Sequence, residues 1–216
     1  MNDVITNPVL KQLAGARVLV IGDVVLDHFV WGEVDRISPE APVPVVRVLK
    51  EEDMPGAAAN VALNLASIDA RPVMMSIIGD DNEGGRLREL LLNNNVDCNY
   101  LTVDPGRKTT RKTRIIARSQ HVVRVDWDSK IDDDVISRHN ILSKIKNAMP
   151  DCDAVIVQDY NKGMVRESIF ELLEKADIPV IIDPNRYHKI KYSGTLATPN
   201  ADEAKILSGV NIGNEK

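Results

Sequence analysis

The run Met54-Pro55-Gly56-Ala57-Ala58-Ala59-Asn60-Val61-Ala62 carries almost no side chain until Asn60, and it leads into a helical pattern. A bare backbone lets a polar ligand approach closely, and a helix start offers N–H groups with no partner inside the helix. The same residues also suit a tight turn that packs a helix onto a sheet. A second glycine-rich turn, Gly79-Asp80-Asp81-Asn82-Glu83-Gly84-Gly85, answers it downstream. Asp27 ends the segment Gly22-Asp23-Val24-Val25-Leu26-Asp27, and Asn200 and Glu203 stand three residues apart. That last spacing fits a helix capping box as well as a pair of oxygen ligands.

Several elements must hold these residues. Arg17–Ile21 is a short β-branched run that suits a buried parallel strand. Prolines 39, 42 and 44 flank an alternating Val43–Val48 segment, which predicts a small peripheral sheet between His28 and Pro55. Ala58, Val61, Ala62, Leu65 and Ala66 repeat at helical spacing, with Asn60, Asn64 and Ser67 opposite. A strand is predicted over 72–78 and a helix over 83–93. Thr109–Trp127 alternates about a polar break at Arg118-Ser119-Gln120 and predicts a hairpin. Beyond it, helices near 133–148, 166–175 and 201–207 alternate with strands at 154–157, 179–182 and 196–198. This rhythm predicts one α/β domain with a parallel sheet covered on both faces.

The 216 residues are 44% hydrophobic with a net charge of −5, enough for one core and without general attraction for nucleic acid or an anionic membrane. No apolar run approaches the ~20 residues of a membrane span. Cys98 and Cys152 form no CxxC pair and read as free thiols in a reducing compartment. The first eleven residues contain no signal-peptide core, so a cytoplasmic protein is expected.

These motifs resemble the ribokinase-like (PfkB) sugar kinases, and most closely the heptose-7-phosphate kinases. The resemblance rests on Gly22–Asp27, Arg36-Ile37-Ser38-Pro39-Glu40-Ala41-Pro42-Val43-Pro44-Val45, Pro55–Ala62, Asp159-Tyr160-Asn161-Lys162-Gly163, Asp183-Pro184 and Thr198-Pro199-Asn200-Ala201-Asp202-Glu203. The Ser38–Val45 run is the most specific of them. The resemblance implies a ribokinase-like α/β fold: a mostly parallel sheet flanked by helices, with a small β lid from segments at about 28–55 and 107–127. It implies that the C-terminal part of the fold lies beyond this chain. Its Gly-x-Gly-Asp turn, which supplies the catalytic base, is expected after Lys216.

The resemblance also implies roles for particular residues. Asp27, Gly56, Ala57 and Asn60 would contact a sugar. Lys112, Arg114, Arg118, Arg124 and Lys162 are candidate partners for a phosphate already on that sugar, of which Arg114, Arg124 and Lys162 are favoured. Asp183, Asn185, Asn200 and Glu203 would face ATP, with Glu203 acting on Mg²⁺ through water. Ala57 stands where the family usually has a second glycine, and Asn185 where it usually has lysine or another residue. The expected reaction is phosphorylation of the anomeric hydroxyl of a heptose phosphate for ADP-heptose synthesis, with a homodimer formed through lid faces bearing Val43, Val45 and Val48. Another PfkB-type sugar or nucleoside kinase, and a non-catalytic sugar-phosphate-binding protein, are the alternatives.

Overall fold

A computed structural model describes residues 8–118 and 120–210. After a short helix α1 (Pro8–Lys11), the chain runs β1 (Arg17–Gly22), β2 (Val24–Ile37), β3 (Pro44–Ala57), α2 (Ala58–Ser67), β4 (Arg71–Gly79), α3 (Asn82–Asn93) and β5 (Leu101–Asp104). It continues with β6 (Arg111–Ala117), β7 (Gln120–Trp127), α4 (Asp133–Arg138), α5 (Ile141–Ala148), β8 (Ala154–Gln158) and α6 (Glu167–Leu173). The last elements are β9 (Val180–Asp183), β10 (Leu196–Ala197) and α7 (Ala201–Ser208).

Six parallel strands form the main sheet in the order β10-β9-β8-β1-β4-β5. β1 is central, and its alternation serves both faces. Leu19 and Ile21 pack toward Phe170, Ile141 and Ile145, while Val18 and Val20 pack toward Ala58, Ala62 and Leu87. Leu19, Val20 and Ile21 are fully buried, and each contributes roughly 1.5–3 kcal/mol of transfer free energy. Strand order reverses at β1, because β4 lies on one side of it and β8 on the other. Open α/β sheets bind ligands outside the carboxyl ends of their strands at such a point.

The two β-rich excursions meet in a second sheet, ordered β3-β2-β6-β7. β2 pairs with β3 and β6 with β7 antiparallel, whereas β2 and β6 run parallel. This sheet extends further into the core than the predicted 28–55 segment, because β2 begins at Val24 and β3 continues to Ala57. Its second half begins at Arg111 instead of 107. Residues 107–110 form the joint, held by the Arg107 guanidinium on the carbonyls of Ile77 and Ser129. The hairpin turns at Arg118, whose φ is 58° and whose N–H reaches the Gly32 carbonyl at 3.1 Å; Ser119 lies outside the described residues.

Two predicted elements differ. The helix over 133–148 is broken at Asn140, which sits in the left-handed region at φ 53°, ψ 41°. Asn tolerates that conformation better than most residues, so one amphipathic pattern yields α4 and α5. β5 was not predicted: its four residues Leu-Thr-Val-Asp are too short to show a period. Among the described residues, both cysteines are buried free thiols, and no helix is long and apolar enough to cross a membrane.

Candidate active site

Asp23, the single residue between β1 and β2, organises the carboxyl edge of the sheet. Its buried carboxylate accepts the backbone N–H groups of Tyr160 (3.0 Å), Lys162 (2.9 Å) and Met164 (2.9 Å). Its own carbonyl accepts the N–H of Ala58 at 3.0 Å, at the start of α2. Burial pushes its pKa up, against the pull of those three donors. One side chain thus fixes the loop after β8, where Asn161 (φ 54°) and Gly163 (φ 100°) take left-handed conformations. A single acid inside an apolar run is the signal that the sequence offers for it.

Asp27 lies four residues further along, half-buried on the second sheet. Its Oδ1 accepts from Arg114 Nη1 at 2.5 Å, and the space above Gly56 is taken by the same carboxylate, so that a Cβ there would collide with it. Gly56 is therefore required by the carboxylate as well as being bare. Ala57 follows with φ 52° and ψ −129° as the N-cap of α2. That region is populated mainly by glycine, which gives a physical reason for glycine at this position. Asn60 is exposed on the first turn of α2.

The predicted cations converge from β6, β7 and the loop after β8. Lys112 is the register partner of Asp27, and Arg114 of Arg124. Lys112 Nζ sits 4.7 Å from the centre of the Tyr160 ring. Its pKa is pushed down by burial first, with repulsion from Lys162 and Arg124 that Asp126 partly offsets. Lys162 Nζ meets Asp128 at 2.7 Å, and Arg124 makes a two-pronged contact with Asp126 at 2.9 and 3.1 Å. Each of these three predicted cations, Arg114, Arg124 and Lys162, thus holds a carboxylate. Arg118, at the hairpin tip, is exposed and bounds a separate hollow with His121 and Val34.

Gly22, Gln158 and Asp183 form one row across the carboxyl ends of β1, β8 and β9. Gln158 Nε2 donates to Asp183 Oδ2 at 3.0 Å. Burial raises the Asp183 pKa, and Glu203 and Asp159 add repulsion against the relief given by Gln158. Asn185 Oδ1 accepts the N–H of Tyr187 at 2.9 Å, so part of its amide is engaged in its own turn. Asn200 and Glu203 form a complete capping box: Asn200 Oδ1 accepts the Glu203 N–H at 2.9 Å, and Glu203 Oε2 accepts the Asn200 N–H at 2.8 Å. Asn185, Asn200 and Glu203 nevertheless line one open cavity of about 600 Å³, together with Tyr160, Arg186 and Asp202. Tyr160 belongs to both halves, since its ring also carries Lys112.

Residues 16–216 match the profile of the pfkB family carbohydrate kinases. The chain belongs to this family. It is 39% identical over 201 residues to bifunctional protein HldE of Helicobacter hepaticus, an alignment covering 91% of this chain and 42% of that protein. It is 41% identical over 208 residues to HldE of Desulfatibacillum aliphaticivorans, covering 94% and 42%. The pfkB chain therefore spans under half the length of these relatives. Among solved structures, phosphofructokinase-2 from Escherichia coli in complex with substrates and products aligns with a TM-score of 0.68 at 16% identity, over 94% of this chain and 66% of that one. Arabidopsis thaliana ribokinase complexed with ribose and ATP aligns at 0.59 and 16%, over 91% and 63%. At such identities the shared property is the fold, which is the ribokinase-like α/β architecture.

The second glycine-rich turn serves this pfkB fold structurally. Asp81 caps α3 through the Gly84 N–H at 2.9 Å and binds the Thr109 N–H and hydroxyl at 2.8 and 2.7 Å. Thr109 Oγ1 in turn accepts the Gly79 N–H at 2.8 Å. The turn thus locks the joint of the second sheet. Among the described residues no group of three or more His, Cys, Asp or Glu could hold a metal by itself. Asp183 and Glu203 are close enough to repel, and Gln158 Oε1 is buried beside them without a donor. Such a set suits Mg²⁺, which keeps several waters and takes one or two carboxylates beside phosphate oxygens.

Proposed function

We propose that this chain supplies the sugar site and part of the nucleotide site of an ATP-dependent kinase that phosphorylates the anomeric hydroxyl of D-glycero-β-D-manno-heptose 7-phosphate, on the route to ADP-heptose. One relationship supports the reading: Lys112, the strand neighbour of Asp27, reaches over the ring of Tyr160, and Tyr160 lines the cavity of Asn200 and Glu203. A phosphoryl acceptor and a donor need that adjacency. The relatives named HldE and the Ser38–Val45 run favour the heptose substrate.

In this reading Asp27 and Asn60 hold neighbouring sugar hydroxyls, and Gly56 and Ala57 let the ring lie against the backbone. Arg124 and Lys162 exchange their carboxylate partners for the phosphate the sugar already bears, Lys112 reaches it from beside the Tyr160 ring, and Arg114 offers it the N–H groups that Asp27 leaves free, since charge-assisted contacts to phosphate are among the stronger polar interactions. Asn185 and Asn200 face the ATP phosphates, and Asp183 and Glu203 would hold Mg²⁺ through its waters. Mg²⁺ would neutralise charge on the migrating phosphoryl group. The second sheet acts as a lid that excludes water. The catalytic base stands on a Gly-x-Gly-Asp turn that this sequence does not contain, so the 216 residues alone are expected to show no turnover.

The protein would act in the cytoplasm and pair with a second copy through the second sheet, where Val43 and Val48 are about half exposed and Val45 less so. The test is ATP turnover by the full-length protein on heptose 7-phosphate, ribose, fructose and adenosine. Preference for heptose 7-phosphate is expected. Preference for an unphosphorylated sugar would move the assignment elsewhere in the family, and binding without transfer would make it a sugar-phosphate-binding protein.

A further inference from the structure

The cavity around Asn200 poses an electrostatic problem. Asp202 and Glu203 line it with negative charge, and Asp183 is close enough to Glu203 for the two to repel. The chain as a whole carries −5. A triphosphate entering such a space meets repulsion unless cations are placed inside. Arg186 is the one basic residue among those lining it. It sits two residues beyond Pro184 on the loop that leaves β9, at the carboxyl edge of the sheet.

Arg186 has a holding position. Its Nη1 donates to Asp202 Oδ2 at 2.9 Å, and its guanidinium lies 4.8 Å from the centre of the Tyr187 ring. Asp202 is largely exposed, with 73% of its side chain accessible, while Arg186 is at 34%. An exposed ion pair of this kind contributes little to stability, so the pair is readily exchanged. A guanidinium presents several N–H donors in a plane, which matches two phosphate oxygens better than a lysine does. Arg186 therefore combines the right charge, the right place and a weak present partner.

We infer that Arg186 is a phosphate-binding residue of the nucleotide cavity, held on Asp202 when the cavity is empty and transferred to the terminal phosphates of a nucleoside triphosphate when one enters. The inference rests on the kinase reading above and names a residue which that reading did not contain. Asp202 acts as the release partner. It stands in the first turn of α7, where its carboxylate stays favourable beside the helix N-terminus after the arginine leaves.

The experiment is calorimetric titration of the full-length protein with Mg·ATP, with inorganic tripolyphosphate and with adenosine, on the unchanged protein, Arg186→Ala and Arg186→Lys. Arg186→Ala is expected to weaken tripolyphosphate and Mg·ATP binding by about 10- to 100-fold and to leave adenosine binding unmoved. Arg186→Lys is expected to recover part of the loss. A conserved circular dichroism spectrum and melting temperature show that the variants fold, as an exposed pair implies. If Arg186→Ala binds Mg·ATP and tripolyphosphate as well as the unchanged protein does, the inference is overturned and the kinase reading stands. If the unchanged protein binds neither, the kinase reading fails and takes the inference with it.

Discussion

The Asp27 carboxylate occupies the volume that any side chain at residue 56 would need. The two residues lie on paired strands, with Gly56 opposite Val25 and Asp27 opposite Met54, so the backbone of neither can shift without disturbing the β2–β3 ladder. Asp27 is also held from the other side by Arg114. A carboxylate fixed on two sides is pre-organised for hydroxyl groups, because little conformational entropy remains to be lost on binding.

Gly56→Ala tests that arrangement. The added methyl must displace Asp27 or open the ladder, and overpacking of this kind costs about 1–3 kcal/mol. The melting temperature should fall, and KM for the sugar should rise more than KM for ATP. Equal changes in both constants would show that the glycine serves stability alone.

Ala57→Gly should act in the opposite direction. At φ 52°, ψ −129° alanine is strained, and glycine removes the strain at some cost in unfolded-chain entropy. A gain of about 1 kcal/mol is expected, read as a higher urea midpoint with an unchanged slope. A loss of stability would show that the Ala57 methyl makes packing contacts that outweigh its backbone.

Asp81 predicts an acid response. Burial pushes its carboxyl up, but the Thr109 N–H and hydroxyl and the Gly84 N–H more than offset this and hold the pKa below the ordinary 3.8. A lowered folded pKa gives stabilisation that is complete above the unfolded value and is lost as pH falls through the folded one. Asp81→Ala should therefore be less stable at pH 6, by about 1 kcal/mol for the lost cap. It should also lose less than the unchanged protein between pH 6 and pH 3. Parallel losses in urea titrations at the two pH values would contradict this.

Lys162→Met separates the two ends of the substrate. Lys162 belongs to the cation bank beside Lys112, and its main chain is fixed independently by Asp23. KM for a phosphorylated sugar should rise about tenfold or more, while KM for its unphosphorylated counterpart stays close to the original. A similar rise for both sugars would place Lys162 at the reacting hydroxyl.

The elements most legible in the sequence were those with a strong period or an unambiguous boundary. β1 and β8 are β-branched runs closed by Gly22 and by Gln158-Asp159, and the α2 stripe repeats cleanly from Ala58 to Ala66. β5 was lost because four residues carry no period. The break at Asn140 was lost because the apolar spacing continues across it and only the backbone angle marks it. The site was legible where a motif concentrates small or charged residues, as at Gly56–Asn60 and Asn200–Glu203. Asp23 and Arg186 were not, since one acts through backbone groups 137 to 141 residues away and the other acquires meaning only from the cavity it enters.

Only Asp23 separates β1 from β2, so the main sheet and the second sheet are a single ribbon with no slack between them. Hairpin tips far from this joint can grow or shrink at small entropic cost. At the joint itself, one inserted residue would reverse the facing of every side chain that follows, turning Asp27 outward and its apolar neighbours inward to the ligand. Insertions are therefore tolerated at the periphery, whereas the distance along the chain from Gly22 to Asp27 is as constrained as the chemistry those residues frame.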